Sequence, residues 1–503
     1  MTEAPCVEIG LGRLRGRASG GTRRFLGIPF AAPPVGPLRF APPAPPLPWS
    51  GLREADRFGP APIQRIDDLS LELGLLVAHP QSEDCLHLNV FAPDAEPSQG
   101  LRPVMVWLHG GAFASGTAAG PVYDPSRLAR EGDIVVVTLN YRVGALGFLG
   151  VGSPNVGLQD QMAALRFVRD EIAAFGGDPG NVTVFGESAG AGSIVALLAT
   201  PGARGLFRRA IVQSAAPDGM LSREEADLRV GIFCKAAGDP GLDLDGLRRL
   251  APEEILKAQV LCQEPGPRRI GMFFAPVVDG ELLPERPLDA IARGCARDVE
   301  LIIGTTAHEM QLYHLSDLFP QVPMEHIPAA LAPGLPGPRD RAIAAAKELT
   351  RFYEGPELAD ENRYFAAVTD ANLFVPAARL AAQQSRHQSA TFMYRFDWTS
   401  PMRDGRLGAC HALDIPFALG TVDRVPAFAG AGDDALAVSR AMRAAWVAFA
   451  RTGSPACAAV GEWPAYEPEG RQTMLIDRIC RTVRDPDGEK RRAWALARLE
   501  GDA

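Results

Sequence analysis

Residues 182–192 read VTVFGESAGAG, and the reading of this stretch decides the fold. Residues 182–185 have the apolar, β-branched character of a strand. They break at Gly186-Glu187-Ser188-Ala189-Gly190, and the Ala-, Ile-, Val- and Leu-rich run to residue 199 has helix-forming composition. A strand that turns sharply into a helix with serine at the apex is what the pattern G-x-S-x-G demands mechanically. Its glycines let two chain segments cross without Cβ clashes, and the serine Oγ then projects from the end of a sheet. Ser188 is therefore the candidate nucleophile.

Working outward, VMVWLH (104–109) and IVVVTLN (134–140) are continuous apolar runs of the kind buried on both faces of a mainly parallel sheet. Apolar residues recur at 158, 162, 165, 168, 172 and 175, a helical spacing that Gly176-Gly177 and Pro179 stop. Residues 210–214, 299–305 and 391–398 complete the set of expected central strands. Strands alternating with helices predict an α/β fold with a mostly parallel central sheet and functional residues at its carboxyl edge. Residues 7–30 predict a small antiparallel hairpin turning at Gly20-Gly21. The proline-dense segment 27–49 is expected to be pinned to a core by Phe30, Phe40 and Trp49. No composition shift marks an internal boundary, so 1–503 is read as one domain. Two long gaps, about 217–298 and 307–390, are read as helical excursions over one end of the sheet.

With 47% hydrophobic and 22% charged residues the composition is that of a globular protein, which excludes disorder and coiled coil. A net charge of -9 argues against a nucleic-acid partner. No apolar stretch reaches the roughly 20 residues a membrane helix needs. The N-terminal residues show no basic segment followed by an apolar run, so a cytoplasmic location is expected. Eight scattered cysteines without a C-x-x-C pair speak against a metal site and fit reduced thiols.

A serine hydroxyl needs a base, and the base a third group to hold its tautomer. In this architecture the order is serine, acid, histidine, which leaves His308, His314, His326, His387 and His411. His411, in GACHALDIPF (408–417), follows the strand ending near residue 398, and Glu309 follows the strand 299–305, so both reach the carboxyl edge. Asp279 and Asp414 are rival acids. The loop His109-Gly110-Gly111-Ala112-Phe113 supplies small residues whose N–H groups can approach a developing oxyanion. Gly111 and Ala112 are the expected donors, with Ala189 as the third.

These residues, with SEDCLHLNVFAP (82–93), LNYRVGALGFL (139–149), GTTAHE (304–309) and WPAYEP (463–468), resemble the type B carboxylesterases, an α/β-hydrolase family, and among them the bacterial para-nitrobenzyl esterases. The resemblance spans nearly the whole chain. It implies a serine carboxylesterase acting on small uncharged esters through an acyl-enzyme on Ser188, with Glu309 and His411 completing the triad and no cofactor. It also implies that Glu187 and Ser214 form a buried layer beneath them. Secreted relatives bridge the cysteine of E-D-C-L to an earlier one, where this chain has Pro62, so Cys85 is expected to be unpaired. Residues 63–84 contain no Phe, Tyr or Trp, which argues against a quaternary-ammonium substrate. The base is expected to titrate near the ordinary histidine value of about 6.5. The alternative reading is a catalytically inactive cholinesterase-like binding or adhesion protein, and the intact Ser188, Glu309 and His411 weigh against it. A thiol hydrolase using Cys410 is a further, weaker alternative. Phe273 and Phe274 are read equally as acyl-pocket wall or as core.

Overall fold

The computed structural model describes residues 4–95, 100–263, 272–315, 322–332, 335, 337–356 and 358–499. Its strands are, in chain order, β1 (Cys6–Ile9), β2 (Gly12–Arg15), β3 (Arg17–Ser19), β4 (Thr22–Pro29), β5 (Leu52–Glu54), β6 (His87–Pro93), β7 (Arg102–Leu108), β8 (Val135–Leu139), β9 (Gly177–Glu187), β10 (Arg209–Gln213), β11 (Glu300–Thr306), β12 (Thr391–Phe396), β13 (Gln472–Ile476) and β14 (Arg481–Arg484). A small sheet has the order β1-β2-β5, and a large one the order β14-β13-β12-β11-β10-β9-β7-β8-β6-β4-β3. From β13 to β8 every neighbouring pair is parallel, while β14, β6, β4 and β3 add antiparallel flanks.

The continuous apolar runs are explained by burial on both faces. Val104, Val106 and Leu108 of β7 join one core, whereas Met105 and Trp107 join the other. The helix Ala189–Leu198 packs into the first core and Asp433–Thr452 into the second, giving three layers.

The expected helix around 158–175 is Val156–Glu171, continued by a tight turn Ile172–Phe175 and ended by Gly176 at φ 87°. The hairpin turns at Gly20-Gly21 as expected but joins β3 and β4 only; residues 6–15 form a separate antiparallel pair, β1 with β2, in the small sheet. Phe30 and Phe40 are buried, and Trp49 donates its indole N–H to the Arg13 carbonyl at 3.0 Å. Four strands escape the sequence reading. β6 carries His87 and Asn89 among its apolar residues, and β5, β13 and β14 are short. β9 also begins earlier than residue 182, because Gly177 pairs with Arg102 across an irregular register.

Helices occupy both long gaps. Arg223–Ala236, Leu244–Arg249, Pro252–Gln263 and Pro287–Ala292 lie in the first, and Ile327–Leu331, Arg339–Thr350, Asp360–Thr369 and Val375–Gln384 in the second. Parts of the two expected excursions, 264–271, 316–321, 333–334, 336 and 357, lie outside the described residues. Among the described residues no helix is long and apolar enough to cross a membrane.

The turn after β9 explains its glycines. A Cβ on Gly186 would sit 2.6 Å from the Leu108 carbonyl oxygen, and one on Gly190 would overlap that same oxygen. The elbow therefore crosses the end of β7 at backbone contact, which any side chain would prevent.

Candidate active site

Successive strand ends are tied to one another at the carboxyl edge. The N–H of Ser188 donates to the Gln213 carbonyl at 2.9 Å, and that of Ser214 to the Gly304 carbonyl at 2.8 Å. Ser188 sits at φ 55°, ψ -122°, and Ser214 also has positive φ. Ala112, Phe113 and Ala412 share this left-handed backbone, so five non-glycine residues in it cluster where the chemistry is expected. Each costs on the order of 1–3 kcal/mol and persists only because its surroundings over-determine it.

His411 is buried, and its Nδ1 lies 2.7 Å from Glu309 Oε2. Glu309 is itself fixed: its Oε1 accepts the Thr306 N–H at 2.8 Å, and its carbonyl accepts the His411 N–H at 3.0 Å. A second pair of bonds joins the two loops one step away, His308 N–H to the Ala409 carbonyl and Ala409 N–H to His308 Nδ1. The loops carrying the expected acid and base are thus stitched together, although 102 residues separate them.

The rival acids have other work. Asp279 caps a turn, its Oδ1 accepting the N–H groups of Glu281 and Leu283 at 2.9 Å. Asp414 is fully buried, and its Oδ2 accepts from the Tyr394 hydroxyl at 2.8 Å and from Gln213 Nε2 at 3.0 Å. Burial pushes its carboxyl up to about 6. Tyr394 and Gln213 escape the sequence reading, since nothing local marks a strand residue as facing a buried acid.

Glu187 is 2% exposed, as the resemblance implies, but its position adds something new. Its Oε1 lies 3.1 Å from His411 Nε2, so the imidazole stands between two carboxylates. Burial works against protonation of His411, yet Glu187 and Glu309 together outweigh it and raise its pKa. Burial likewise raises the pKa of Glu187, against the pull of the imidazolium. The expected base value near the ordinary 6.5 is therefore corrected upward. Ser214, 1% exposed, has an Oγ with no hydrogen-bond partner among the described residues.

Gly111 (φ 112°) and Ala112 (φ 53°) form the turn after β7, with Ala114 and Ser115 N–H both bonded to the Gly111 carbonyl. A Cβ on Gly110 would lie 2.8 Å from Glu187 Oε2 and 3.1 Å from Ser188 Cβ, so this turn packs directly against the elbow. Ala189 is the first residue of its helix, where an N–H has no partner within the helix and the dipole favours negative charge. His109 is stacked on Tyr141 at 4.3 Å and burial lowers its pKa to about 4, so it is a neutral structural ring.

Cys410 is buried and its thiol is pushed up, which makes it a poor nucleophile. Cys85 is a free buried thiol, as expected. Phe274 is 1% exposed and belongs to the core, while Phe273 is partly buried beside it, ring centroids 4.9 Å apart.

The family model described as the carboxylesterase family matches residues 3–494. The chain belongs to the carboxylesterase family. It is 42% identical over 496 residues to the para-nitrobenzyl esterase of Bacillus subtilis (strain 168), covering 96% of this chain and 97% of that one. It is 34% identical over 510 residues to the phenmedipham hydrolase of Pseudarthrobacter oxydans, covering 97% and 99%. Among solved structures, a PNB esterase superposes with a TM-score of 0.87 at 40% identity, over 98% of this chain and 99% of that one. This carboxylesterase accordingly has the α/β-hydrolase fold and is a serine esterase that hydrolyses carboxylic esters. The reading as an inactive binding or adhesion protein is not favoured.

In the esterase, the Glu187 carboxylate beside Nε2 is the charge that raises His411 most. As the expected base, His411 can accept a proton only when neutral, so kcat/KM should rise with pH as the imidazolium loses its proton, and a raised pKa moves that rise above pH 6.5. Glu187→Gln removes one negative charge and is expected to move the acid limb down by about one pH unit. A pH profile of kcat/KM for both proteins checks this, and an unmoved limb would show that Glu187 does not set the base.

Proposed function

We propose that Ser188, Glu309 and His411 form the catalytic triad and that the N–H groups of Gly111, Ala112 and Ala189 form the oxyanion hole. The observation that carries this reading is the 2.7 Å contact of His411 Nδ1 with Glu309, with Nε2 turned toward the residue beside Ser188. His411 takes the Ser188 proton as Oγ attacks the ester carbonyl, and the tetrahedral oxyanion rests on the three N–H groups. The proton then passes to the leaving alcohol. Water attacks the acyl-enzyme through the same base and frees the acid. These steps draw on side chains and backbone alone, and no metal or cofactor is proposed. Glu187 and Ser214 support the triad from below.

The proposed substrates are small uncharged esters, para-nitrobenzyl esters among them by analogy with the Bacillus relative. Carbamates are a further extension by analogy with the phenmedipham hydrolase. Three buried carboxylates, Glu187, Glu309 and Asp414, surround the base and would repel an anionic acyl chain. The lack of aromatic residues in 63–84 argues against choline esters. We further propose that the chain works as a single domain, supported by a sheet that draws strands from β3 to β14. A cytoplasmic location is supported by eight scattered cysteines without a C-x-x-C pair, and absence of a nucleic-acid partner by the net charge of -9.

Titration with a nitrophenyl organophosphate tests the site. One equivalent of nitrophenol per chain, lost activity and a phosphorylated Ser188 peptide by mass spectrometry are expected. Labelling of another residue, or none, would refute the assignment.

A further inference from the structure

The carboxyl ends of β11, β12 and β13 open into a second cavity of about 380 Å³ that none of the proposed triad or oxyanion residues lines. One water needs roughly 10–15 Å³ of such space, so there is room for a small molecule. Ligands of α/β sheets characteristically sit outside the carboxyl ends of strands. The cavity reaches the exposed Asp487, so it has a way in from solvent.

Its charge is unbalanced. Among the described residues, Asp370, Asp397, Asp477 and Asp487 line it against only Arg395 and Lys490. Arg395 is consumed by Asp397, at 2.7 and 2.9 Å, and by Asp487. Lys490 is shared between Asp370 and Asp487 at 4.0 and 3.8 Å. Asp477 forms no salt bridge among the described residues, and it is only partly exposed. Deeper in the cavity, Thr306 is 1% exposed and its Oγ1 has no hydrogen-bond partner among the described residues. A buried hydroxyl left unpartnered on a residue that lines a cavity is a group that awaits a partner. His308 also lines it, kept neutral by burial. Its Nδ1 accepts the Ala409 N–H, which leaves Nε2 as the protonated nitrogen. Leu358, Ala366 and Phe374 supply an apolar wall.

We propose that this cavity is a binding site for a small primary ammonium ion, its charge on Asp477, an N–H or attached hydroxyl on Thr306, and its carbon chain on the apolar wall. A bare metal ion fits the lining less well. Among the described residues no cluster of three or more His, Cys, Asp or Glu side chains could hold one. The site communicates with the chemistry through Thr306, whose N–H holds Glu309 at 2.8 Å.

The test is thermal denaturation with propylammonium chloride against sodium chloride at equal ionic strength, with propanol and tetramethylammonium chloride as comparators. A saturable rise in Tm of about 1–3 °C with propylammonium alone is expected. The rise should persist in Ser188→Ala, which separates this site from the ester site and from the fate of the triad assignment. It should vanish in Asp477→Asn and in Ala366→Leu, the latter narrowing the cavity should the former fold poorly. Propylammonium no better than sodium, equal shifts with propanol or tetramethylammonium, or a shift retained in the folded variants would overturn the proposal.

Discussion

Ser188→Ala is expected to lose about six orders of magnitude in kcat, with no burst of nitrophenol from a short-chain nitrophenyl ester. In the proposed mechanism the Ser188 hydroxyl is the group that forms the acyl-enzyme. Replacing it leaves the oxyanion donors and substrate contacts in place. A residual acceleration of roughly 10³–10⁴ over water should therefore survive, carried by direct attack of water. The fold should survive too, because alanine keeps the Cβ that already tolerates φ 55° and the N–H that holds Gln213. An unchanged Tm beside the collapsed rate would locate the loss in chemistry. A variant within tenfold of the parent would remove Ser188 from its role.

Glu309→Gln should lower kcat by about 10⁴ while leaving KM nearly unchanged. The geometry explains why so small a change matters. The Thr306 N–H selects an oxygen at the Oε1 position, so the new amide must turn its NH₂ toward His411 Nδ1. Nδ1 then becomes the acceptor, and the ring proton moves to Nε2. There Glu187, 3.1 Å away, stabilises the wrong tautomer further. An Nε2 that already carries a proton cannot take one from Ser188. Asp414→Asn is the control, because Asp414 is engaged by Tyr394 and Gln213 and should cost far less. A reversal of the two effects would transfer the acid role to Asp414.

The difference between these two carboxylates shows where sequence reading stops. Glu309 and Asp414 both follow strands and both lie near the expected base. Only the bond between His411 N–H and the Glu309 carbonyl, with the paired contacts of His308 and Ala409, decides which one faces Nδ1. The same holds for β6, which carries His87 and Asn89 within its run. Asn89 gains its place by donating to Thr138 Oγ1 on β8 at 3.0 Å, a partner invisible to local pattern.

What the sequence determined by itself is the local machinery: the strand, crossing turn and helix around Ser188, the small residues of the loop after β7, the hairpin at Gly20-Gly21, and the chain order of the candidates Ser188, Glu309 and His411. Steric limits on backbone and side-chain burial act within a few residues, so composition and spacing reveal them. The tertiary structure alone decided that His411 lies between two carboxylates, that Asp414 is held elsewhere, and that a second, acidic cavity opens beside Glu309. Those outcomes depend on the side chains that seven parallel strands, distant along the chain, bring to one edge, and on the loss of water there, which turns a pair of charges into a shifted pKa.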